Sequence, residues 1–263
     1  MNGEDDDGDL HVVAGNNPAL LIQDGDFGTL PQEWAHLETS RPLFKRMIPS
    51  VGRLEMGVRT SVGTAFVAGV GILMTNRHVI ENFARPVGDE WEFNPGVTSV
   101  RVDFGGEHDR TTASELPVEA IIGVDAQYDL ALLRIPAETD FIVKALPLQR
   151  DEPDSIVGRE LVAIGYPDRD NAIPDDVLQR TFGNIFGVKR LQPGKITALR
   201  SHNGVSVFSH DCSTTGGSSG SCMIDVASGK VLALHFGGGG TVNLTVPLWK
   251  VAHRPFLKSL NWR

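Results

Sequence analysis

Gly71-Ile-Leu-Met-Thr75-Asn-Arg-His78-Val-Ile80 is an apolar run that breaks into a small polar turn and then presents a histidine. An imidazole moves protons near neutral pH, so a histidine leaving a strand end is a candidate general base. Two further stretches supply matching chemistry. Tyr128-Asp129-Leu-Ala-Leu-Leu-Arg-Ile135 opens an apolar strand with a carboxylate, which can fix the tautomer of an imidazole by accepting its N–H. Thr214-Thr-Gly-Gly217-Ser-Ser219-Gly-Ser221 sets a serine among glycines, whose freedom of φ lets the chain turn sharply and aim amide N–H groups at one point. The amides of Gly217 and Ser219 are the candidate oxyanion donors, and Ser219 is the candidate nucleophile. This is not the Gly-x-Ser-x-Gly elbow, because Ser221 occupies the last glycine position. Asp125, in the turn-like Gly123-Val-Asp-Ala126, is expected only to shape that turn.

Outward from these stretches the texture is that of short strands. Val51–Met56, Thr64–Ala68, Gly71–Thr75, Val97–Phe104, Val118–Val124 and Leu130–Ile135 are β-branched or alternating and separated by Gly, Asp and Asn. A polar linker, Gln149–Ser155, precedes a second series: Leu161–Gly165, Lys195–Arg200, Gly204–Ser209, Cys222–Val226, Val231–His235 and Thr241–Val246. Two groups of about six strands predict an all-β chain of two antiparallel six-stranded β-barrels. The first (46–150) would hold His78 and Asp129, and the second (151–263) Ser219 and a short C-terminal helix over Leu248–Leu260, with Pro255 at a break or start. Residues 1–45 read as an N-terminal arm, loosely attached to about residue 28 and with a short helix over Pro31–Met47 that buries Trp34, Leu37 and Phe44.

Bulk properties narrow the function. A net charge of −9 argues against nucleic acid as a partner, because phosphate binding needs clustered Lys and Arg. No run approaches 18 apolar residues and no basic segment adjoins an apolar one, so a membrane is not expected as a partner. The acidic start, Met1-Asn-Gly-Glu4-Asp5-Asp6-Asp7, has no basic region followed by an apolar one; taken as the natural start, it predicts a cytoplasmic protein. Cys212 and Cys222 make no disulfide framework and are expected as free thiols. The remaining histidines show no metal-ligand spacing, so neither metal nor cofactor is expected.

The three motifs resemble those of the trypsin-like (chymotrypsin-fold) serine peptidases, whose triads run in the chain order His, Asp, Ser. Leu73-Met-Thr-Asn-Arg-His78-Val is similar to the histidine motif of the bacterial branch, and Tyr128-Asp-Leu-Ala-Leu132 to the aspartate motif. Ser213-Thr-Thr-Gly-Gly-Ser-Ser219-Gly-Ser resembles the serine loop of bacterial glutamyl endopeptidases. Leu234-His235-Phe-Gly-Gly238 and Asn243-Leu-Thr-Val-Pro247 resemble their cleft-lining segments. The likeness runs from about Val51 to Val251. It departs at Ser218, where many members carry an activation aspartate, and at Cys222, where proline is common.

The resemblance implies a serine endopeptidase acting on a protein or peptide through His78, Asp129 and Ser219. It also implies that Ser213, Thr214, His235, Gly237 and Asn243 line the substrate cleft. Ser213 stands where trypsin-type enzymes carry an aspartate, so a basic P1 residue is not expected. Thr214 and His235 match the carboxylate-binding pair of the glutamyl enzymes, which implies an acidic P1, with small or apolar P1 left open. Two alternatives remain at this level: an enzyme gated by an activating partner or by a larger parent protein, and a silent binding module on the same fold.

Overall fold

A computed structural model describes residues 17–141, 143–239 and 242–263. The chain begins with β1 (Leu20–Gln23) and β2 (Asp26–Phe27), followed by a 3-10 helix (Gln32–Ser40) and α1 (Arg41–Met47). The first β unit contains β3 (Val51–Met56), β4 (Thr60–Gly69), β5 (Ile72–Thr75), α2 (Arg77–Ile80), β6 (Ala84–Val87) and β7 (Glu90–Phe93). It continues through β8 (Val100–Asp103), β9 (Glu115–Pro117), β10 (Ala120–Asp125) and β11 (Leu130–Arg134). The second contains β12 (Glu160–Gly165), α3 (Asp175–Phe182), β13 (Arg190–His202), β14 (Val205–His210), β15 (Cys222–Asp225), β16 (Val231–Gly239), β17 (Val242–Pro247) and α4 (Leu248–Val251).

The double-barrel architecture is the one the strand pattern predicts. In the second unit β12, β15, β16, β17, β14 and β13 pair in turn, and β13 pairs back onto β12, closing a six-stranded antiparallel barrel. The first unit is a seven-stranded sheet, β10-β11-β5-β4-β3-β8-β9. Its end strands are joined by the chain rather than by a ladder, with Val118 N donating to Val100 O and Glu119 N to Arg134 O. Each unit has its own interior, and a third cluster lies between them. It joins Val51, Phe66 and Leu130 of the first unit to Val162, Ile224 and Leu234 of the second. Burying such side chains contributes about 1.5–3 kcal/mol each, so this cluster is what holds the two units face to face.

The first 45 residues differ from the sequence expectation. The helix over Pro31–Met47 forms in two pieces and buries Trp34, Leu37 and Phe44 as expected. The stretch read as loosely attached forms β1 and β2, however, and β1 pairs with β13 of the second barrel. Ile22 and Phe27 are buried in the cluster between the units. Composition points to a loose arm because Asp and Gly dominate; two apolar side chains with somewhere to go reverse it. The part of that expectation on residues 1–16 lies outside the described residues. At the other end, helix forms only at α4 and again at Pro255–Leu257, so Pro255 marks a restart.

The hairpin β6–β7 and helix α3 were not expected. For α3 the signals were present: Pro174 ahead of it, Asp175 and Asp176 in the first turn, and Gly183 (φ 62°) closing it. Cys212 and Cys222 are both free and buried, as expected, and burial pushes the Cys222 thiol up to about 12.

Candidate active site

β5 and β11 are antiparallel neighbours with Thr75 opposite Ala131. The residues just after Thr75 and just before Ala131 therefore sit at the same end of the sheet. Asn76 is extended (φ −85°, ψ 155°), and the chain then turns into α2, which carries His78. Two donors clip this turn to the opposite strand, Asn76 Nδ2 and Arg77 N, at 3.0 and 3.1 Å from Asp129 O. Asp129 takes a left-handed conformation (φ 47°), unusual for a residue with a side chain but tolerated by Asp. Its carboxylate accepts His78 N at 2.9 Å through Oδ1 and the His78 imidazole Nδ1–H at 2.6 Å through Oδ2. Holding Nδ1 as the donor leaves Nε2 as the basic nitrogen. The His78 side chain is 40% exposed, so that nitrogen can meet a substrate. Asp125 shapes its turn, with Oδ1 accepting Gln127 N and Tyr128 N at 3.0 Å, and also pairs through Oδ2 with Arg254 Nε at 3.0 Å.

The serine loop is held by its carbonyls. Ser218 N donates to Thr215 O at 3.1 Å and Asp168 N to Gly216 O at 2.6 Å. Thr64 Oγ1 donates to Gly217 O at 2.8 Å, Ser221 N to Ser218 O at 2.9 Å, and Thr64 N to Ser219 O at 2.8 Å. In a trans peptide the C=O and N–H point in opposite directions. With Gly216 O turned toward Asp168, the Gly217 N–H faces the other way. Among the described residues, the N–H groups of Gly217 and Ser219 donate to no protein acceptor. They form a pair of free donors beside the Ser219 hydroxyl, on a residue that is 7% exposed.

Two glycines make this backbone reachable. Gly220 has φ 91°, and a Cβ there would fall 1.8 Å from Thr64 O. Gly217 has φ 78°, and its Cβ would fall 2.4 Å from Tyr166 O and 2.6 Å from Asp168 Oδ2. The loop thus wedges between β4 and the segment after β12, with no room for a side chain at either position.

The expected cleft residues are all buried, and they are used differently from one another. Ser213 is fully buried; its hydroxyl donates to Asn17 O at 2.6 Å and its carbonyl accepts Gln192 Nε2. Asn243 Nδ2 donates to Cys212 O at 2.8 Å, which ties β17 to the wall. Gly237 (φ 135°) sits at the bulge where β16 changes register against β17. Thr214 is buried beside Ser213. His235 is tied to the serine loop on both sides, with Gly220 N donating to His235 O at 2.9 Å and His235 N to Ser221 O at 3.0 Å.

His210, Thr64 and Asp168 were not singled out from the sequence. His210 Nδ1 accepts Cys212 N at 3.2 Å, and its Nε2 lies 3.1 Å from His235 Nδ1. Burial pulls the His210 imidazole down to about 3, so it is neutral at physiological pH. A neutral ring that accepts at Nδ1 carries its proton on Nε2. It therefore donates to His235 Nδ1, which leaves the proton of a neutral His235 on Nε2. Nothing in the strand pattern around His210 marks it, because the partner lies on another strand.

A family model described as a trypsin-like peptidase domain matches residues 63–234. A probable serine protease of Lysobacter enzymogenes is 28% identical over 268 residues, covering 88% of this chain and 69% of that one. Among solved structures, Deg5 is similar with a TM-score of 0.59 at 23% identity, covering 85% of this chain and 94% of the other. The active form of the Rv3671c protease from M. tuberculosis has a TM-score of 0.53 at 21% identity, covering 82% and 83%. These structural likenesses establish the chymotrypsin-like double-barrel fold.

Proposed function

The chain belongs to the trypsin-like peptidase family, and from that premise we propose that it is a serine endopeptidase whose triad is His78, Asp129 and Ser219. The observation that carries this is a tautomer-locked histidine on α2, whose next residue Val79 meets Ser219 O at Gly63, with the Gly217 and Ser219 amides unengaged among the described residues. Ser219 Oγ attacks the scissile carbonyl carbon as His78 Nε2 takes the hydroxyl proton, and the carbonyl oxygen becomes an oxyanion held by the Gly217 and Ser219 N–H groups. Asp129 stabilises the imidazolium without itself taking the proton. His78 then protonates the leaving amine, and the C–N bond breaks to leave an acyl ester on Ser219. Water, deprotonated by His78, attacks that ester and restores the serine.

For specificity we infer an acidic P1 residue. Two features support it. Ser213 supplies no carboxylate for a basic side chain, and its hydroxyl is already engaged by Asn17 O. His235, whose Nδ1 lies 3.1 Å from Nε2 of neutral His210, and Thr214 are the imidazole and hydroxyl of the carboxylate-binding pair that the resemblance implies. Peptides differing only at P1 test this; fast cleavage after Phe or Arg with none after Glu would refute the acidic preference and leave the triad standing. For the triad itself, a fluorophosphonate should add once to the wild type and not to Ser219→Ala, read by intact mass. A folded wild type that takes no adduct would remove the peptidase reading.

A further inference from the structure

Resting on the peptidase reading above, we propose that the Asp168 carboxyl acts on the oxyanion site through space: its negative charge slows acylation, and its protonation speeds it. The geometry is that of the loop after β12. Asp168 serves the serine loop twice through its backbone, with N donating to Gly216 O at 2.6 Å and O accepting Thr215 Oγ1 at 2.7 Å. These bonds bring its side chain against Gly217, where Oδ2 lies 2.6 Å from the position a Cβ would take. A carboxylate therefore adjoins Gly217, on the side away from the N–H that would receive the negative charge of the tetrahedral intermediate. Like charges that share one half-buried site oppose each other.

Asp168 is poorly compensated. Arg53 of β3 is the charged group that acts on it, but that guanidinium already lies 2.6 Å from Glu55 Oε1 and 3.6 Å from Asp103 Oδ2. From β4 the Ser61 hydroxyl lies near it, short of a hydrogen bond, and favours the charged form. The serine loop faces it with glycines and Thr215, and the Gly187 turn with backbone. Arg169, next in sequence, is paired with Asp175 at 2.6 Å instead. Burial is the largest influence and raises the Asp168 carboxyl above the usual Asp range, against the lowering pull of Ser61 and Arg53. Burial thus brings the neutral form of this carboxyl closer than it is for an exposed Asp.

The test is the second-order rate of fluorophosphonate labelling, and kcat/KM on one peptide, for the wild type and Asp168→Asn from pH 4.5 to 8.5. Taking the ratio of the two proteins cancels the titration of His78. The ratio should fall toward one as pH falls. It should rise to a plateau of about fivefold in favour of Asp168→Asn, carried by kcat rather than KM. Ser61→Ala, which leaves Asp168 in place, should move the wild-type transition to higher pH, because a hydroxyl that favours the charged form is gone. A ratio flat with pH, or a uniform loss of rate in Asp168→Asn, would overturn the proposal and assign the side chain to loop structure alone. If the wild type takes no label at any pH, the peptidase reading fails and this inference fails with it. Labelling of wild type with an unchanged ratio removes this inference only.

Discussion

The two units contribute to the proposed site by different physical means. The first supplies His78 and Asp129, and what holds them is side-chain chemistry: one carboxylate accepts the backbone N–H and the ring N–H of the same histidine. The second supplies Ser219, and what holds it is backbone shape. Five successive carbonyls from Thr215 to Ser219 are each engaged, while among the described residues the N–H groups of Gly216, Gly217 and Ser219 meet no protein acceptor. One half is a short local clasp across neighbouring strands. The other is a loop wedged against Thr64, Tyr166 and Asp168, residues about 50 to 150 positions away in the chain. The difference teaches where each half is vulnerable: the first to a change of one functional group, the second to the addition of one carbon.

The largest effect falls on the shared atom. Ser219→Ala should lower turnover on a peptide by about a million-fold with the fold intact, measured by steady-state kinetics alongside thermal unfolding. In the first unit, Asp129→Asn keeps the shape but no longer holds the required tautomer. It should cost about 10⁴ in kcat while the serine loop is unaltered. A loss of less than tenfold would break the idea that the carboxylate clasp organises that half.

In the second unit, Gly217→Ala adds a Cβ that must displace Tyr166 O and Asp168. Loss of one oxyanion donor should cost about 10²–10³ in kcat. The downfield ring N–H proton resonance of His78 should persist in this variant, since the first half does not sense the loop. Its disappearance would show that the halves are not independent.

The smallest effect is on stability. The His210 imidazole, at about 3 in the folded state and near 6.5 unfolded, takes up a proton on unfolding between those values. The sign follows from linkage: the unfolded state binds more protons there, so this contribution is present above pH 6.5 and is lost as pH falls toward 3. The slope is at most about 1.4 kcal/mol per pH unit from this one group. His210→Gln should flatten the acid limb of a melting-temperature-versus-pH curve, and superimposable limbs would remove His210 from that account.

Taken alone, the sequence determined the strand pattern, because alternation of apolar and polar residues is a local property of a half-buried strand. Val51–Met56 is read and found at the same bounds. It also determined the order of His78, Asp129 and Ser219 and the glycines around the serine, because these are residue identities and a glycine-rich turn is a backbone preference. Tertiary structure decided the rest. Leu20–Gln23 became a strand only because β13 offered it an edge and the inter-barrel core offered Ile22 a place. His210 met His235, and Ser213 met Asn17, through contacts that span 25 and 196 residues. The carbonyl ahead of the Gly217 N–H is held by Asp168, and the carbonyls of Gly217 and Ser219 by Thr64, all from elsewhere in the chain. Local sequence sets what a segment can do; which of its hydrogen bonds are already used is settled by what folds against it.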